Sequence, residues 1–254
     1  MSGKDFLAKL WRAVIEFDML QPGDRVLIGL SGGKDSMFLT ECLARVQKYV
    51  PFEFELACLT VNTNFVPEFP QAALQEFCDG YGLAFYTEKV DVPAVLRSDT
   101  SPCYSCAYFR RAVMNRRAAE LGFNKVALAH HNDDAVETFF MNVMTSGQLR
   151  TFRPVTPLSR SGITVIRPLL YYREQEIRDC VSRLGLRPLK NPCPYDGNTM
   201  RQKVKEHIGA LNGQYPDIYE HLAAAMRQQP DSELWPAKLD KNEAAAKFYR
   251  FWNR

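Results

Sequence analysis

The sequence predicts an α/β fold, with a doubly wound and mostly parallel sheet and a helical C-terminal extension. Two observations support this prediction. Short apolar runs that are typical of buried strands alternate with segments in which apolar residues recur at helical spacing. From about residue 199 the strand pattern ends and only helical spacing remains. We therefore predict one domain over 1–205 and a helical extension over 206–254.

The predicted elements alternate between helix and strand along the chain. An amphipathic helix over about 6–20 comes first. Strands are predicted at 26–30, 54–61, 83–88, 124–129 and 163–166. Helices are predicted after residue 36, over about 70–81, up to about residue 121 and over about 134–145. In such a sheet ligands bind at the carboxyl ends of the strands, so the segments that follow the strands are where chemistry is expected.

Length and composition limit the cellular setting. No apolar stretch approaches the roughly 18 residues that cross a membrane, and no apolar signal-peptide core follows the first five residues. We therefore expect a cytoplasmic protein with no membrane partner. In that compartment the seven cysteines are expected to be thiols or metal ligands, and not structural disulfides.

The net charge is +3, but the charged residues are unevenly distributed along the chain. The formal charge is −5 over residues 1–109, +9 over 110–205 and −1 over 206–254. A solvated surface alone could produce this pattern, but an anionic partner larger than ATP explains it better.

The most informative motif is Ser-Gly-Gly-Lys-Asp-Ser at 31–36, which separates the first predicted strand from its helix. A turn of small residues at that place directs backbone N–H groups and a helix N-terminus at an anion. Gly32 and Gly33 allow a phosphate to approach the backbone, and Lys34 adds a mobile charge. The Walker pattern is not met, because no glycine stands five residues before Gly33 and Asp35 replaces the Mg²⁺-binding hydroxyl. The motif therefore argues against a P-loop kinase or GTPase.

Neighbouring residues divide the cysteines into two groups. Those with apolar neighbours are expected in the core, and they are Cys42, Cys58, Cys78 and Cys180. Cys103 and Cys106 form a C-x-x-C pair directly before a predicted helix, whose N-terminus is expected to lower the thiol pKa and favour the thiolate. Cys193 stands between two prolines, so it is predicted to lie in an accessible loop.

Cys103, Cys106 and Cys193 are thus the candidate metal ligands. Three thiolates suit a [4Fe-4S] cluster that leaves one iron open. Zinc is an alternative that would need a fourth ligand. The histidines considered for that place are His130, His131 and His207. A redox-active C-x-x-C disulfide and a chance placement are the other interpretations.

The segment Ala-His-His-Asn-Asp-Asp follows the fourth predicted strand. Asp134 and Glu137 have capping-box-like spacing with Asp134 as the cap, so their expected role is to start the next helix. Asp133 would then lie just outside that helix, where a carboxylate can hold Mg²⁺ on pyrophosphate. We expect His131 to be a packing residue and His130 to contact the nucleotide or the acceptor.

Together these motifs resemble those of the tRNA 2-thiocytidine synthetase branch of the PP-loop ATP pyrophosphatases, enzymes related to the lysidine synthetases. The resemblance spans about residues 25 to 205 and rests on the following elements: SGGKDS at 31–36, the C-x-x-C pair at 103–106 followed by Arg110 and Arg111, AHHNDDAVET at 129–138, IRPL at 166–169 and Cys193. SGGKDS alone marks the superfamily, whereas the added cysteines single out the iron–sulfur thiolation branch.

The resemblance implies an ATP-dependent sulfurtransferase that forms AMP and pyrophosphate. The C2 oxygen of a pyrimidine would attack the α-phosphate of ATP·Mg²⁺, and a sulfur held on a [4Fe-4S] cluster would then displace AMP. ATP would contact Ser31, Gly32, Gly33, Lys34, Asp35, Ser36, Asn62 and His130, with Asn62 near the adenosine. The cluster ligands would be Cys103, Cys106 and Cys193. The catalytic residues would be Lys34, Asp35, Asp133 (with Mg²⁺) and Cys193.

The expected acceptor is tRNA, and an anticodon loop fits best because the target base must leave its stack. Candidate phosphate contacts are the arginines Arg110, Arg111, Arg116, Arg117, Arg150, Arg153 and Arg167. A sulfur donor such as a cysteine desulfurase is a further expected partner, and a homodimer is compatible with the sequence.

Two other functions are weighed against this one. A cluster-free PP-loop ligase of lysidine-synthetase type, in which an amine attacks the adenylate, leaves the three cysteines without a role. A nucleotide-binding redox or metal sensor would use the C-x-x-C pair but would not need an intact SGGKDS motif or the adjacent Asp133 and Asp134.

Overall fold

The computed structural model describes residues 5–65, 69–95, 102–189, 193, 199–227, 240–243 and 245–246. Its strands are β1 Arg25–Gly29, β2 Glu55–Asn62, β3 Ala84–Lys89, β4 Lys125–Ala127, β5 Val155–Leu158 and β6 Ile163–Ile166. The helices in the same parts of the chain are α1 Ala8–Glu16, α2 Lys34–Val46, α3 Gln71–Asp79, α4 Val92–Val95, α5 Pro102–Glu120, α6 Asn132–Ser146, α7 Glu174–Arg183, α8 Met200–Gln214 and α9 Ile218–Ala225.

The strands form one sheet in the order β3-β2-β1-β4-β6-β5. Neighbouring strands are parallel except for β5 and β6, which are antiparallel. The predicted α/β fold with a mostly parallel sheet is thereby confirmed. The sequence pattern missed β5, because Pro157 removes a backbone donor and argues against a strand. The proline is tolerated here because β5 lies at the edge of the sheet and pairs only with β6.

Helices cover both faces of the sheet, because successive side chains of a strand point to opposite faces. In β1, Val26 and Ile28 pack in the core that α1, α2, α3 and α7 complete. Leu27 points the other way, into the core that Met114 and Ala118 of α5 complete. We call these two sides of the sheet the α2 face and the α5 face.

β1 and β4 are neighbours in the sheet although two strands separate them in the chain. The chain leaves β1 for β2 on one side and later returns to β4 on the other side, so the crevice between β1 and β4 is a topological switch point. β1 leads into α2 and β4 leads into α6. The N-termini of both helices therefore lie at the edge of the sheet where ligands bind.

Among the helix boundaries that depart from the sequence prediction, two concern the candidate cysteines and acidic residues. α5 begins at Pro102, so the C-x-x-C pair lies within the first turns of the helix and not before it. α6 begins at Asn132, two residues earlier than predicted. Both departures place candidate site residues inside helices.

The end of the described chain is helical, as predicted. α8 runs across the predicted boundary between residues 205 and 206. Val204 and Ile208 of α8 pack with Val136 of α6 and Tyr219 of α9 in a small third core. The division of the chain into a domain and an extension stays a prediction. Within the described ranges, no helix has the combined length and apolar character that crossing a membrane requires.

Candidate active site

The motif at 31–36 forms the connection between β1 and α2 together with the first three residues of α2. Gly33 is the N-cap of α2, and Gly32 has a φ of +81°, which favours glycine. The backbone N–H of Ser31 donates to Ser36 Oγ at 3.1 Å, and this hydroxyl donates to the carbonyl of Gly33 at 3.0 Å. The turn is folded back onto a helix N-terminus, whose first N–H groups have no partner within the helix. This is an anion-binding arrangement.

The same turn contacts the segment that leads to Cys193. The backbone N–H of Leu189 donates to the carbonyl of Gly32 at 2.9 Å. A Cβ atom on Gly32 would lie 3.1 Å from Cδ1 of Leu189, closer than an ordinary van der Waals contact. Glycine is therefore required at this position both for its φ and for the approach of Leu189.

Lys34 makes two ion pairs at the start of α2. Its Nζ lies 2.9 Å from a carboxylate oxygen of Asp35 and 3.0 Å from Oε1 of Glu174, the first residue of α7. Burial opposes the charge of Lys34, but the two carboxylates outweigh it and raise the pKa of the lysine. Lys205 of α8 and Arg178 also pair with Glu174. Burial acts against the ionised form of Glu174, yet Lys205 and Lys34 hold its pKa well below the ordinary value.

His131 lies between carboxylates from two helices. Its Nε2 is 3.9 Å from Oδ1 of Asp35 in α2 and 3.4 Å from Oδ2 of Asp134 in α6, and its Nδ1 is 3.7 Å from Oδ2 of Asp133. The expected burial of His131 is found, with 5% of the residue exposed. Asp35 Oδ1 is buried without a hydrogen-bond partner in the described structure. An unsatisfied carboxylate oxygen beside an anion site fits Mg²⁺ as a ligand.

The roles expected for the acidic residues of α6 need correction. His131 is the N-cap of α6, and its backbone N–H donates to Oδ2 of Asp134 at 3.0 Å, so Asp134 is not the cap. Asp133 lies inside the helix and is buried, because α6 begins earlier than predicted. Its Oδ2 accepts hydrogen bonds from Nε of Arg173 at 3.1 Å and from the backbone N–H of Glu174 at 2.8 Å. The role of Asp133 in Mg²⁺ binding stays a prediction, and the contacts seen here fix α7 to α6.

The ring of His130 packs against the ring of Phe152, with an angle of 38° between the two planes. The centres of its ring and that of Phe152 are 4.9 Å apart. Burial lowers the pKa of His130 to about 4, and Arg167 and Arg201 act in the same direction although Asp134 opposes them. The ring is therefore neutral near pH 7. Its predicted contact with nucleotide or acceptor stays a prediction.

The cysteines divide in the structure as the sequence predicts. Four of them are buried, namely Cys42, Cys58, Cys78 and Cys180. Cys103 is exposed, and Cys106 and Cys193 are half-buried. These three line one cavity of about 230 Å³, together with Ser31 of the anion-binding turn. The remaining residues of the loop around Cys193, over 190–192 and 194–198, lie outside the described residues.

The thiol of Cys106 is not the low-pKa thiol that a helix N-terminus predicts. Burial raises its pKa, and the neighbouring Cys193 and Cys103 add to this, while Arg110 opposes them. Desolvation therefore outweighs the helix N-terminus. Among the described residues, no group of three or more His, Cys, Asp or Glu side chains is arranged to hold a metal ion.

Asn62, predicted to lie near the adenosine, is the last residue of β2. Its side-chain oxygen accepts a hydrogen bond from the backbone N–H of Asn64 at 2.9 Å. The neighbouring Val61 and Thr63 line the three-cysteine cavity. The nucleoside role of Asn62 stays a prediction.

The candidate RNA-binding arginines fall into three groups. Arg116 and Arg117 pair with Glu88 and Glu120, which neutralise them. Arg167 is buried, with 9% of the residue exposed. The others form no ion pair with an acidic residue of the described chain and are exposed or half-buried: Arg110, Arg111, Arg150 and Arg153.

Sequence reasoning missed Glu174 and Arg173, which connect the anion-binding turn to α7 and α6. A usable signal was the acidic residue at the start of a helix that follows the last strand of the sheet, since such positions meet at the ligand-binding edge. The spacing of residues in the sequence did not indicate that the partner of Glu174 would be Lys34.

The comparisons with known proteins agree with this fold. The protein-family model that describes the PP-loop domain matches residues 6–210 of this chain. A tRNA-cytidine(32) 2-sulfurtransferase of Alcanivorax borkumensis is 34% identical over 234 residues, which cover 90% of this chain and 82% of the relative. The protein of the same name from Vibrio cholerae is 32% identical over 228 residues, covering 88% of this chain and 73% of the relative.

Among solved structures, the U34-tRNA thiolase NcsA from Methanococcus maripaludis, determined with its [4Fe-4S] cluster, has a similar fold. The TM-score is 0.73 at 22% identity, and the match covers 96% of this chain and 88% of that chain. An NH3-dependent NAD synthetase from Campylobacter jejuni shares the fold more distantly, with a TM-score of 0.51 at 16% identity, over 91% of this chain and 96% of that chain.

The chain belongs to the PP-loop family. These matches show the class of protein, and the strand, anion-binding turn and helix at 25–46 agree with it. Within that family it is an ATP-dependent sulfurtransferase, the activity that the names of its relatives carry.

Proposed function

We propose that the chain replaces the C2 oxygen of a cytidine in tRNA with sulfur, at the position 32 that its relatives' names specify. One structural observation supports this proposal above the others. Cys103 and Cys106 of α5 and the distant Cys193 line the same cavity as Ser31 of the anion-binding turn. A nucleotide site and a sulfur-ligand site side by side are what activation by ATP followed by sulfur transfer requires.

Activation takes place at the N-terminus of α2. The C2 oxygen of the base attacks the α-phosphate of ATP, the bond from the α-phosphate to the bridging oxygen breaks, and pyrophosphate leaves. The N–H groups at the start of α2 hold the phosphates, and the hydroxyl of Ser36 fixes the turn by donating to the carbonyl of Gly33. Lys34 balances negative charge as it moves to pyrophosphate. Asp35 and Asp134, both near Nε2 of His131, would hold Mg²⁺, which would supply positive charge to balance that of the phosphates.

Substitution follows at the activated C2 carbon. A sulfur nucleophile bonds to C2, and the bond from C2 to the adenylated oxygen breaks, so AMP leaves with the oxygen. We expect the neutral ring of His130, which packs beside Phe152, to contact the nucleotide or the acceptor. The sulfur enters at the oxidation level of sulfide, either from sulfide itself or from a donor such as a cysteine desulfurase whose persulfide is reduced by a thiol.

A [4Fe-4S] cluster fits the three-cysteine cavity by its donor set. Cys103, Cys106 and Cys193 would hold three irons, and the fourth iron would offer a coordination position for a sulfur ligand. The four remaining cysteines are buried in the core, so they do not compete for iron. Arg110 lines the same cavity and favours the thiolate of Cys106.

The tRNA is proposed to approach along α5 and the loop before β5, through an anticodon loop whose unstacked base can enter the site. This surface carries the arginines without acidic partners in the described chain, which are Arg110, Arg111, Arg150 and Arg153. Unpaired surface cations of this kind bind phosphate with a strong dependence on salt.

Nucleoside analysis of tRNA from cells that lack the gene tests the function. We expect 2-thiocytidine to be absent from these cells and restored by the wild-type gene, but not by a gene encoding Lys34→Ala. An unchanged 2-thiocytidine content would overturn the proposed product. A modified nucleoside that carries an added amine and no sulfur would indicate a ligase instead.

A further inference from the structure

A second cavity, of about 370 Å³, lies between α5 and the strands β4, β5 and β6. Most of its walls are apolar. They are formed by side chains that pack in the core of the α5 face, namely Met114, Val126, Leu128, Leu158 and Val165. Its polar lining is formed mainly by two arginines, Arg111 on α5 and Arg167 directly after β6. No acidic residue lines it in the described part of the chain.

Arg167 is a buried cation without a counter-charge in the described structure. Its NH1 donates to the carbonyl of Arg153 at 2.7 Å and to Oγ1 of Thr156 at 3.1 Å, both of which are neutral groups. Its guanidinium lies 5.0 Å from the ring centre of Phe152. Its Nε is buried and has no hydrogen-bond partner among the described residues.

Arg111 adds a second positive charge at the same cavity. Burial lowers the pKa of Arg167 to about 10, and the charge of Arg111 contributes to this. Burying a charge is costly unless an opposite charge accompanies it, and placing two like charges beside each other adds to the cost. The protein has both Arg111 and Arg167 at this cavity, so we expect a ligand to supply the missing negative charge.

We propose that this cavity is a phosphate-binding subsite for the acceptor RNA, in which Arg111 and Arg167 hold one backbone phosphate and the apolar walls receive the adjoining nucleoside. The inference rests on the proposed function in so far as the acceptor is RNA. Guanidinium groups bind phosphate oxygens through pairs of charge-assisted hydrogen bonds. The amide of Asn115, which also lines the cavity, can hydrogen-bond the edge of a base.

The phosphate is distinct from those that the start of α2 is proposed to hold, because the residues that line the arginine cavity include none from the turn at 31–36 or from α2. Met37 of α2, one turn beyond Lys34, packs in the core of the α2 face, and Lys34 pairs with Glu174 of α7 on that face. The arginine cavity is built from residues of the α5 face. A polymer that spans both sites can fill both, whereas the triphosphate lies at the N-terminus of α2. The subsite therefore positions RNA without taking part in the adenylation.

The test compares tRNA binding by Arg111→Met and Arg167→Met with that of the wild-type protein and of Arg183→Met. Arg183 is an exposed residue of α7 on the α2 face, so its variant loses the same charge away from the cavity. The probe is unmodified tRNA in a filter-binding titration at several NaCl concentrations without ATP. We expect each cavity variant to bind about tenfold or more weakly, with a shallower salt slope for Arg111→Met, and Arg183→Met to bind as the wild type does.

A second measurement separates the subsite from folding and from the nucleotide site. Calorimetric ATP affinity is expected to be unchanged in both cavity variants. Arg111 is exposed, so its variant keeps the test valid if Arg167→Met does not fold. If both folded variants bind tRNA as tightly as the wild type, or lose ATP affinity instead, the subsite is wrong. If the wild type itself shows no salt-dependent tRNA binding, the RNA acceptor and the subsite fail together.

Discussion

The ammonium of Lys34 lies 3.0 Å from the carboxylate of Glu174, so the anion-binding turn is joined to the first residue of α7. Asp133 of α6 accepts a hydrogen bond from the backbone N–H of the same glutamate. Three helix N-termini, those of α2, α6 and α7, are thereby connected at one edge of the sheet. Several measurable consequences come from this connection and from the cavities beside it.

Replacing Glu174 with glutamine is expected to destabilise the protein in a pH-dependent way. The pKa of Glu174 is held below its ordinary value, so its ion pairs stabilise the fold above the pKa of an unfolded glutamate. This contribution is lost as the pH falls towards the lowered pKa. The difference in free energy of unfolding between the wild type and Glu174→Gln should therefore be largest near pH 7 and shrink below about pH 4. Urea unfolding at several pH values measures it, and a constant difference would contradict the ion-pair role.

Lys34→Ala and Asp35→Ala are expected to remove the activation step and leave the fold intact. Both residues lie in the first turn of α2 at the ligand-binding edge, and neither belongs to the core. We expect AMP and pyrophosphate formation to fall by about a hundredfold or more, as when a group that balances developing charge is removed. Product analysis by ion-exchange chromatography measures this. Release of ADP and phosphate by the wild type would argue against activation at the α-phosphate.

A matched pair of glycine variants tests the shape of the anion-binding turn. Gly32 and Gly162 both have positive φ, of +81° and +68°. A Cβ would meet Leu189 at Gly32, but it would meet nothing within 4 Å at Gly162. We expect both Gly→Ala variants to lose about 1 kcal/mol of stability from backbone strain, while only Gly32→Ala loses ATP affinity. Thermal unfolding and calorimetric ATP binding distinguish the two effects; equal ATP affinities would mean that the turn does not touch the nucleotide.

The cysteine variants are expected to separate iron binding from core packing. Cys103→Ala, Cys106→Ala and Cys193→Ala should each abolish bound iron and acid-labile sulfide after anaerobic purification. Cys42→Ala is the control, because Cys42 is fully buried in the core of the α2 face. That variant should keep its iron and lose only stability. A full complement of iron in Cys193→Ala would remove this residue from the ligand set.

The local pattern of apolar residues was enough to predict the sheet and most of its helices. Val26, Leu27 and Ile28 form a buried strand, and the small residues Ser31, Gly32 and Gly33 form the connection to α2. The pattern failed at β5, where Pro157 argues against a strand unless the strand lies at an edge. Edge position is a property of the whole sheet, so the local sequence could not reveal it.

The sequence predicted several residues of the candidate site, but it did not predict the contacts between them. The division of the cysteines was correct because burial follows the character of neighbouring residues. The cap of α6 was wrong, because His131 takes the position that capping-box spacing gave to Asp134. The pairing of Lys34 with Glu174 joins residues 140 positions apart, which no spacing rule can predict. Likewise Arg167 was predicted as one of several phosphate contacts, and only packing shows it to be buried.

The most direct test of the account is a single reaction of anaerobically purified protein with unmodified tRNA, ATP, Mg²⁺ and a sulfide source. Mass spectrometry of the digested tRNA and chromatography of the nucleotides are read together. The account predicts one 2-thiocytidine for each AMP and pyrophosphate formed by the wild type, and no 2-thiocytidine with Cys193→Ala. Formation of 2-thiocytidine by Cys193→Ala at the wild-type rate, or sulfur transfer without AMP formation, would contradict it.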